Sequence, residues 1–257
     1  MPLAPVLLKP HEPVAERVLL PGDPGRALRL ATQLIDGPRM LNHHRGLWGY
    51  SGVAAADGEP LTIQSTGVGG PSAAAVVAEL VALGARRLIR VGTAAGLGAT
   101  PLGALVVAVA ALAGDGASRA LGAGERVEAD EALSEALART CGVKPPGGHP
   151  AQGRPPAGHE LGLPAEPPAV RGLVGSADIH DPVLATTWAA SGALACDLAT
   201  AAVLAAAERH GAAAGAVLAV TRARGERLAD DALEPLESAL GAAGLAALAA
   251  GRPTRGG

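Results

Sequence analysis

Short apolar runs, separated by Gly and Pro, dominate the first half of the chain. Runs of this length between turn-forming residues are typical of buried β-strands. The same pattern returns twice in the second half. The sequence therefore predicts strands at 17–20, 47–55, 61–66, 87–91, 104–112, 170–176 and 214–220.

Four segments place apolar residues at helical spacing. Residues 72–84 contain no Pro and end at a Gly, as many helices do, and Ser72 is expected to cap this helix with its hydroxyl. The other predicted helices are 128–139, 198–210 and 232–250. Strands that alternate with helices favour one α/β domain over residues 1–257, with a central mixed sheet flanked by helices.

A Pro- and Gly-rich segment at about 144–168 interrupts this alternation. It has almost no apolar periodicity, so we predict a surface loop there and not a domain boundary.

Composition narrows the functional classes. The 257 residues carry 21 Lys and Arg against 24 Asp and Glu, a net charge of −3, so no basic surface for nucleic acid is expected. Only Cys141 and Cys196 occur, which excludes a disulfide framework and fits a reducing cytoplasm. No apolar run is long enough for a membrane span, so we expect a cytoplasmic protein without a membrane partner.

The histidines do not predict a metal site. His149, His159 and His210 have no ligand partners at useful spacing, and His43 and His44 are adjacent in the chain. Metal sites need several donors that converge, so we expect no metal.

Three segments suggest an anion site. In 21–26 (PGDPGR), a Gly turn joins a strand to a helix, where the backbone of Gly22 and the side chain of Arg26 can bind an anion. In 65–72 (STGVGGPS), three Gly residues again end a strand and open a helix. A plain turn is the alternative in both cases.

The third segment is 87–93 (RLIRVGT), where Arg90 lies inside an apolar strand. A buried guanidinium needs a partner, which is either an anionic ligand or acceptors of the protein itself, a buried carboxylate or carbonyl groups.

Together with 43–52 (HHRGLWGYSG), these segments resemble, in order and spacing, the nucleoside phosphorylase family that contains the hexameric bacterial purine nucleoside phosphorylases and the uridine phosphorylases. The likeness is strongest over 17–97. It continues more weakly through 115–118, 175–178 and 192–204, and 119–169 match poorly.

The resemblance implies that phosphate attacks the anomeric carbon of a nucleoside, giving free base and ribose 1-phosphate, with no cofactor besides phosphate. It implies a homo-oligomer of dimer units, up to a hexamer, in which a neighbouring subunit supplies Arg45. The implied phosphate-binding residues are Gly22, Arg26, Arg45, Arg90 and Thr93; the nucleoside-binding residues are Val68, His180, Asp197, Leu198 and Thr221; the catalytic residues are Arg90, Arg222 and Asp197.

The chain departs from the family at the sugar. The family has a Glu-Met-Glu run whose second Glu holds the ribose hydroxyls, and this chain has Ala199 there. We expect Asp197 to take over the hydroxyl contact if the strand end is shifted in register. The N-terminal His of the family is also missing, because Val6 or Ala4 stands at its place and His11 is out of register.

The base side departs as well. His180 replaces an aromatic residue, and it either stacks on the base or faces solvent. Arg222 either contacts the base or forms a surface salt bridge with Glu226 or Asp230. The Gln-x-Arg motif that reads uracil is missing, so purine and uracil both remain open.

Two alternatives to a phosphorylase remain. One is a catalytically weak or silent homologue that binds a sugar phosphate or nucleotide, which the changes at the sugar suggest. The other is a nucleosidase, which the retained arginines disfavour, because a hydrolase gains nothing from an anion site at the position of the nucleophile.

Overall fold

One sheet carries all the strands of the described chain, which in this computed structural model comprises residues 5–143 and 167–250. The strands are β1 (Arg17–Pro21), β2 (Ile35–Asn42), β3 (Gly49–Ala54), β4 (Pro60–Gln64), β5 (Arg87–Gly96), β6 (Leu105–Ala113), β7 (Arg126–Glu128), β8 (Ala169–Ser176), β9 (Ala195–Asp197), β10 (Ala213–Ala223) and β11 (Glu226–Arg227). The helices are α1 (Pro24–Leu34), α2 (Gly69–Ala82), α3 (Gly116–Ala120), α4 (Glu131–Thr140), α5 (Pro182–Ala190), α6 (Thr200–His210) and α7 (Asp230–Ala250).

The sheet is mixed and partly closed on itself. Strand β1 pairs in parallel with β4 and β5, and β5 pairs in parallel with β10. A circuit then runs from β10 through β6, β8 and β9 back to β5, with antiparallel pairing at β10–β6 and β5–β9. Because β1, β4, β5 and β10 share one direction, their carboxyl ends meet at one edge, where ligands of open α/β sheets bind.

Both faces of the central strands are buried, as the unbroken apolar runs require. Along β1, Val18 and Leu20 pack with α2 and α6 on one side, while Leu19 packs with α1 and α7 on the other. Strand β5 repeats this alternation with Leu88 and Ile89. The predicted α/β architecture with helices on both faces is confirmed.

The four predicted helices start two to three residues away from their predicted positions. Helix α2 begins at Gly69, with Val68 at its cap position, and the Ser72 hydroxyl instead donates to the Thr66 carbonyl at 2.6 Å. The predicted capping role of Ser72 is therefore wrong. Helix α6 begins at Thr200 and not at 198.

The prediction of a helix from residue 128 was also wrong at its start. Residues Arg126–Glu128 form β7, which pairs with β6. The helix begins only after Asp130, whose carboxylate accepts from the Leu133 N–H at 2.9 Å. An Asp with this contact is a strong N-cap, and it sets the boundary.

Six elements were not predicted: β2, α3, β7, α5, β9 and β11. Strand β2 contains a Gly and a Pro, which break the strand pattern, and it forms at the end of the sheet beside β3. Helix α5 begins with Pro182, and the side chain of its cap residue Asp181 accepts from the Val183 and Leu184 N–H groups.

Most of the predicted surface loop, residues 144–166, lies outside the described residues. Within the described ranges, no helix has the length and apolar character that crossing a membrane demands.

The contact of α5 with the sheet gives a test of this packing. A Cβ atom at Gly175 of β8 would overlap the ring of the buried Trp188 of α5. We expect Gly175→Ala to lower the free energy of unfolding by about 1–3 kcal/mol, because the indole ring must shift. Chemical denaturation measures this change.

Gly124 is the matched control, because a Cβ there would meet no atom within 4 Å. Equal stability of the Gly175→Ala and Gly124→Ala variants would contradict the placement of α5.

Candidate active site

A cavity of about 320 Å³ opens at the carboxyl ends of β1, β4, β5 and β10, beside β9. All the predicted site residues except Arg45 line it: Gly22, Arg26, Val68, Arg90, Thr93, His180, Asp197, Leu198, Thr221 and Arg222. They come from distant parts of the sequence, and the strand order of the sheet brings them together.

At one end of the cavity, Arg26 is held from two sides. Its backbone N–H donates to the Asp23 carboxylate at 2.7 Å, so Asp23 caps α1 and fixes the turn after β1. Its guanidinium pairs with Glu237 of α7 at 2.7 Å, with the side chains 8% and 3% exposed. Glu237 was not among the predicted site residues, although a Glu on the apolar side of the last helix was a usable signal.

Glu237 also pairs with Arg29, one turn further along α1. The Arg29 side chain is 40% exposed, and Arg29 does not line the cavity. One buried carboxylate therefore joins α7 to two arginines of α1, only one of which reaches the cavity.

Beside Arg26, Arg90 of β5 pairs with Asp197 of β9. The Arg90 Nε and Nη2 atoms donate to one Asp197 oxygen at 3.0 and 2.7 Å, and both side chains are buried. Arg90 Nε also lies 3.2 Å from the Thr200 hydroxyl. Of the two partners that the sequence left open for Arg90, the structure contains the buried carboxylate.

The Asp197 carboxylate has no capacity left for a further partner. Besides Arg90, it accepts from the Ser176 hydroxyl at 2.5 Å, the Thr200 hydroxyl at 2.8 Å and the N–H groups of Thr200 and Ala199 at 3.0 and 3.3 Å. A carboxylate offers about four acceptor positions. The expected contact of Asp197 with a sugar hydroxyl would have to displace one of these partners, so the structure does not support it.

These contacts also fix the charge of Asp197. Burial raises the pKa of the Asp197 carboxyl, but the Arg90 guanidinium and the hydrogen bonds from Ser176 and Thr200 outweigh burial and hold its pKa below the ordinary value. Asp197 is therefore an ionised counterion for Arg90.

Two guanidinium nitrogens remain unsatisfied at this end of the cavity. Among the described residues, Arg26 Nε and Arg90 Nη1 are buried and have no hydrogen-bond partner. An unpaired buried donor is unfavourable, and a charged one more so. Two of them on residues that line one cavity indicate a ligand with acceptor oxygens.

At the other end, the cavity joins a second one of about 370 Å³. His180 and Arg222 line both, and Arg222 Nη2 lies 2.8 Å from His180 Nε2. Because Arg only donates, His180 accepts at Nε2 and carries its proton on Nδ1. The alternative salt bridge of Arg222 with Glu226 or Asp230 is absent from the described residues, and Asp230 pairs with Arg227.

The rest of the cavity wall is mostly apolar. Ala94, Ala95, Cys196, Leu198 and Ala199 line it. Burial, with help from Asp197, raises the pKa of the Cys196 thiol, while Arg222 acts in the opposite direction. The thiol is therefore a neutral part of this wall.

Arg45 lies outside the cavity on an exposed turn with a left-handed backbone, φ 57°. Two buried amides hold this turn, because the Asn42 and Gln64 side chains both donate to the Leu47 carbonyl, at 2.5 and 3.0 Å. A left-handed non-Gly residue is strained and needs such support. The structure thus presents Arg45 at the surface, away from the cavity of its own chain.

Comparisons with known proteins place this geometry in a family. The family model described as Phosphorylase superfamily matches residues 16–250. The DeoD-type purine nucleoside phosphorylase of an Exiguobacterium species is 44% identical over 85 residues, which is 33% of this chain and 35% of that protein. The uridine phosphorylase of Treponema pallidum is 39% identical over 107 residues, 41% of this chain and 40% of that protein.

These alignments span about a third to two fifths of the relatives' length. A solved structure covers more: the uridine phosphorylase of Vibrio fischeri ES114 superposes with a TM-score of 0.72 over 91% of this chain and 90% of that one, at 24% identity. This match establishes the nucleoside phosphorylase fold. Together with the family model over 16–250, it shows that the chain belongs to the phosphorylase superfamily.

Proposed function

We propose that the protein is a nucleoside phosphorylase, which cleaves the N-glycosidic bond of a purine nucleoside or of uridine with inorganic phosphate. The observation that carries the proposal is the pair of unpartnered, buried guanidinium nitrogens of Arg26 and Arg90 in one cavity. The relatives named purine nucleoside phosphorylase and uridine phosphorylase support it.

In this proposal, phosphate binds where Arg26 and Arg90 meet the Gly22 turn and Thr93. Guanidinium groups suit a phosphate because they donate in a planar fork. Buried carboxylates hold both arginines in place, so little reorganisation is needed when phosphate binds. We propose Asp197 and Glu237 as positioning residues for these arginines.

The reaction then runs between the two ends of the cavity. A phosphate oxygen forms a bond to the anomeric carbon as the carbon–nitrogen bond breaks, and the electron pair of that bond stays on the base nitrogen. The phosphate charge stabilises the developing positive charge of the sugar. The proton that phosphate carried ends on the released base.

Arg222 and His180 are proposed to face the base. A guanidinium stays protonated, so Arg222 can donate to a base carbonyl and stabilise negative charge on the leaving base. His180 is fixed by its contact with Arg222 and offers its ring or its Nδ1–H. Val68, Leu198 and Thr221 would complete the nucleoside site.

Charge balance supports a shared site. Arg26 and Arg29 share Glu237, and Arg90 pairs with Asp197, so three arginines against two carboxylates leave a net charge of only +1 toward a phosphate dianion. The exposed Arg45 would supply a further cation from a neighbouring subunit. We therefore propose a homo-oligomer of dimers, up to a hexamer, with phosphate as co-substrate, no other cofactor or metal, and a cytoplasmic location without nucleic acid or membrane partners.

A silent homologue that binds a sugar phosphate or nucleotide remains the second candidate. The observation in its favour is the sugar side of the cavity, where Ala199 and the fully engaged Asp197 leave little to bind ribose.

The proposal is tested by release of free base from purine and pyrimidine nucleosides, with and without phosphate, and with arsenate as a substitute. We expect release that requires phosphate or arsenate. Equal release without either anion would indicate a nucleosidase, and sugar phosphate binding without turnover would indicate the silent homologue.

Glu237 offers a sharper test of the phosphate end. Glu237→Gln keeps the shape but removes the charge that holds Arg26, and we expect the phosphate KM to rise by about tenfold or more. The nucleoside KM should change little, because Glu237 does not line the cavity. Steady-state kinetics with each substrate varied in turn measure both values.

Arg29→Gln is the matched control, since it removes the other arginine on the same carboxylate without touching the cavity. If both variants raise the phosphate KM equally, or both KM values rise together, Glu237 acts only through stability. Unfolding curves of each variant separate the two causes.

Arg45 can be tested by complementation between subunits. Alone, Arg45→Ala and Arg26→Gln should each lose phosphate affinity. In a mixed dimer, one site would combine the intact Arg26 of one chain with the intact Arg45 of the other, and about half of the sites would recover.

Co-expression with two different tags isolates the mixed assembly, and its activity is compared with that of each variant alone. Recovery shows that Arg45 acts across subunits. Absence of recovery from a correctly assembled mixture would contradict the shared site.

A further inference from the structure

The apolar wall of the cavity indicates which kind of sugar the substrate carries. This inference rests on the proposed function. Phosphate must reach the carbon that carries the base, so the sugar has to lie between Arg26 and Arg90 at one end and Arg222 at the other. Apart from Gly and Pro, the lining residues of the cavity without a charged, hydroxyl or imidazole side chain are Val68, Ala94, Ala95, Cys196, Leu198 and Ala199. None of these side chains carries a carboxylate or hydroxyl.

The polar groups of the cavity are largely committed. Of the described residues that line it, only Asp23 and Asp197 have carboxylates. Asp197 accepts from Arg90, Ser176, Thr200 and Ala199, and Asp23 lies in the turn at the phosphate end and caps α1. Both described carboxylates of this cavity are therefore engaged, and the adjoining cavity adds Asp181, which caps α5, and Glu226.

Two hydroxyls also line the cavity. Thr93 is proposed to contact phosphate, which leaves Thr221, whose hydroxyl lies 3.5 Å from the Ala94 carbonyl. One threonine can satisfy one sugar hydroxyl, but not the neighbouring pair of a ribose. The second hydroxyl of that pair would give up its hydrogen bonds to water beside Ala199 or Leu198 and would gain no hydrogen bond from these side chains.

We propose that the substrate is a 2′-deoxyribonucleoside, and that the apolar wall at Leu198 and Ala199 determines this preference. A sugar with a single hydroxyl on that edge matches the wall, whereas the vicinal pair of a ribonucleoside does not. An apolar pocket rejects one added hydroxyl by about 10- to 100-fold, and we expect a preference of that size in kcat/KM.

The test compares matched pairs with the unmodified protein: 2′-deoxyuridine with uridine, and 2′-deoxyinosine with inosine. Phosphate-dependent cleavage gives kcat/KM, and calorimetric titration of the same nucleosides gives Kd without requiring turnover. A deoxynucleoside preference of at least tenfold in either measure, for the base that is used, supports the inference.

A second arm adds a carboxylate to the wall. Ala199 is buried in the wall at the cap position of α6, two residues after Asp197. Ala199→Glu should shift the preference toward the ribonucleoside by at least tenfold. Ala190→Glu makes the same change on the exposed end of α5, away from the cavity, and should leave the preference unchanged.

The outcomes separate this inference from the proposed function. Phosphorolysis with equal use of both sugars, or with a preference for ribose, overturns the inference and leaves the phosphorylase in place. Tighter binding of deoxynucleosides without any turnover supports the sugar preference and overturns the phosphorylase. Absence of binding of all four nucleosides overturns both.

Discussion

The buried pair of Arg90 and Asp197 is the interaction on which the candidate site depends. It joins β5 to β9 at the carboxyl edge of the sheet, and the same carboxylate receives the Ser176 hydroxyl from β8 and two N–H groups at the start of α6. Two unpaired charges here would be very unfavourable, so the pair forms only when all of these elements are in place. Formation of the sheet edge and positioning of Arg90 are therefore one event.

Arg26 is fixed by the same principle from the opposite side of the sheet. Glu237 reaches it from α7, the last element of the described chain, while Asp197 reaches Arg90 from the other side. Neither arginine depends on a ligand for its position. The guanidinium groups are thus preorganised. Burial without a hydrogen-bond partner is unfavourable for Arg26 Nε and Arg90 Nη1, and a bound anion would supply that partner.

The sequence allowed much of this to be predicted, because the strands have unbroken apolar runs and the Gly-rich turns follow them directly. Arg90 was recognisable because an arginine inside such a run is rare. Glu237 was not recognised, because its partner Arg26 is more than two hundred positions away and no local pattern links them. Strand β2 was missed because its pairing with β3, and not its apolar pattern, makes it a strand. The start of α4 was missed because the Asp130 cap, and not the apolar periodicity, sets that boundary.

The fate of Asp197 shows why residue type alone cannot assign a role. An acidic residue near a sugar site suggests hydroxyl binding, and only the contacts reveal that its oxygens are already engaged. The chain has no Phe and few other aromatic residues, so the apolar part of the cavity wall is formed mainly by alanine, valine and leucine. In the proposed reaction, the arginines of the cavity face a phosphate and a base. The rest of the wall offers apolar contact, and the hydroxyl content of the sugar becomes the property that this cavity can discriminate.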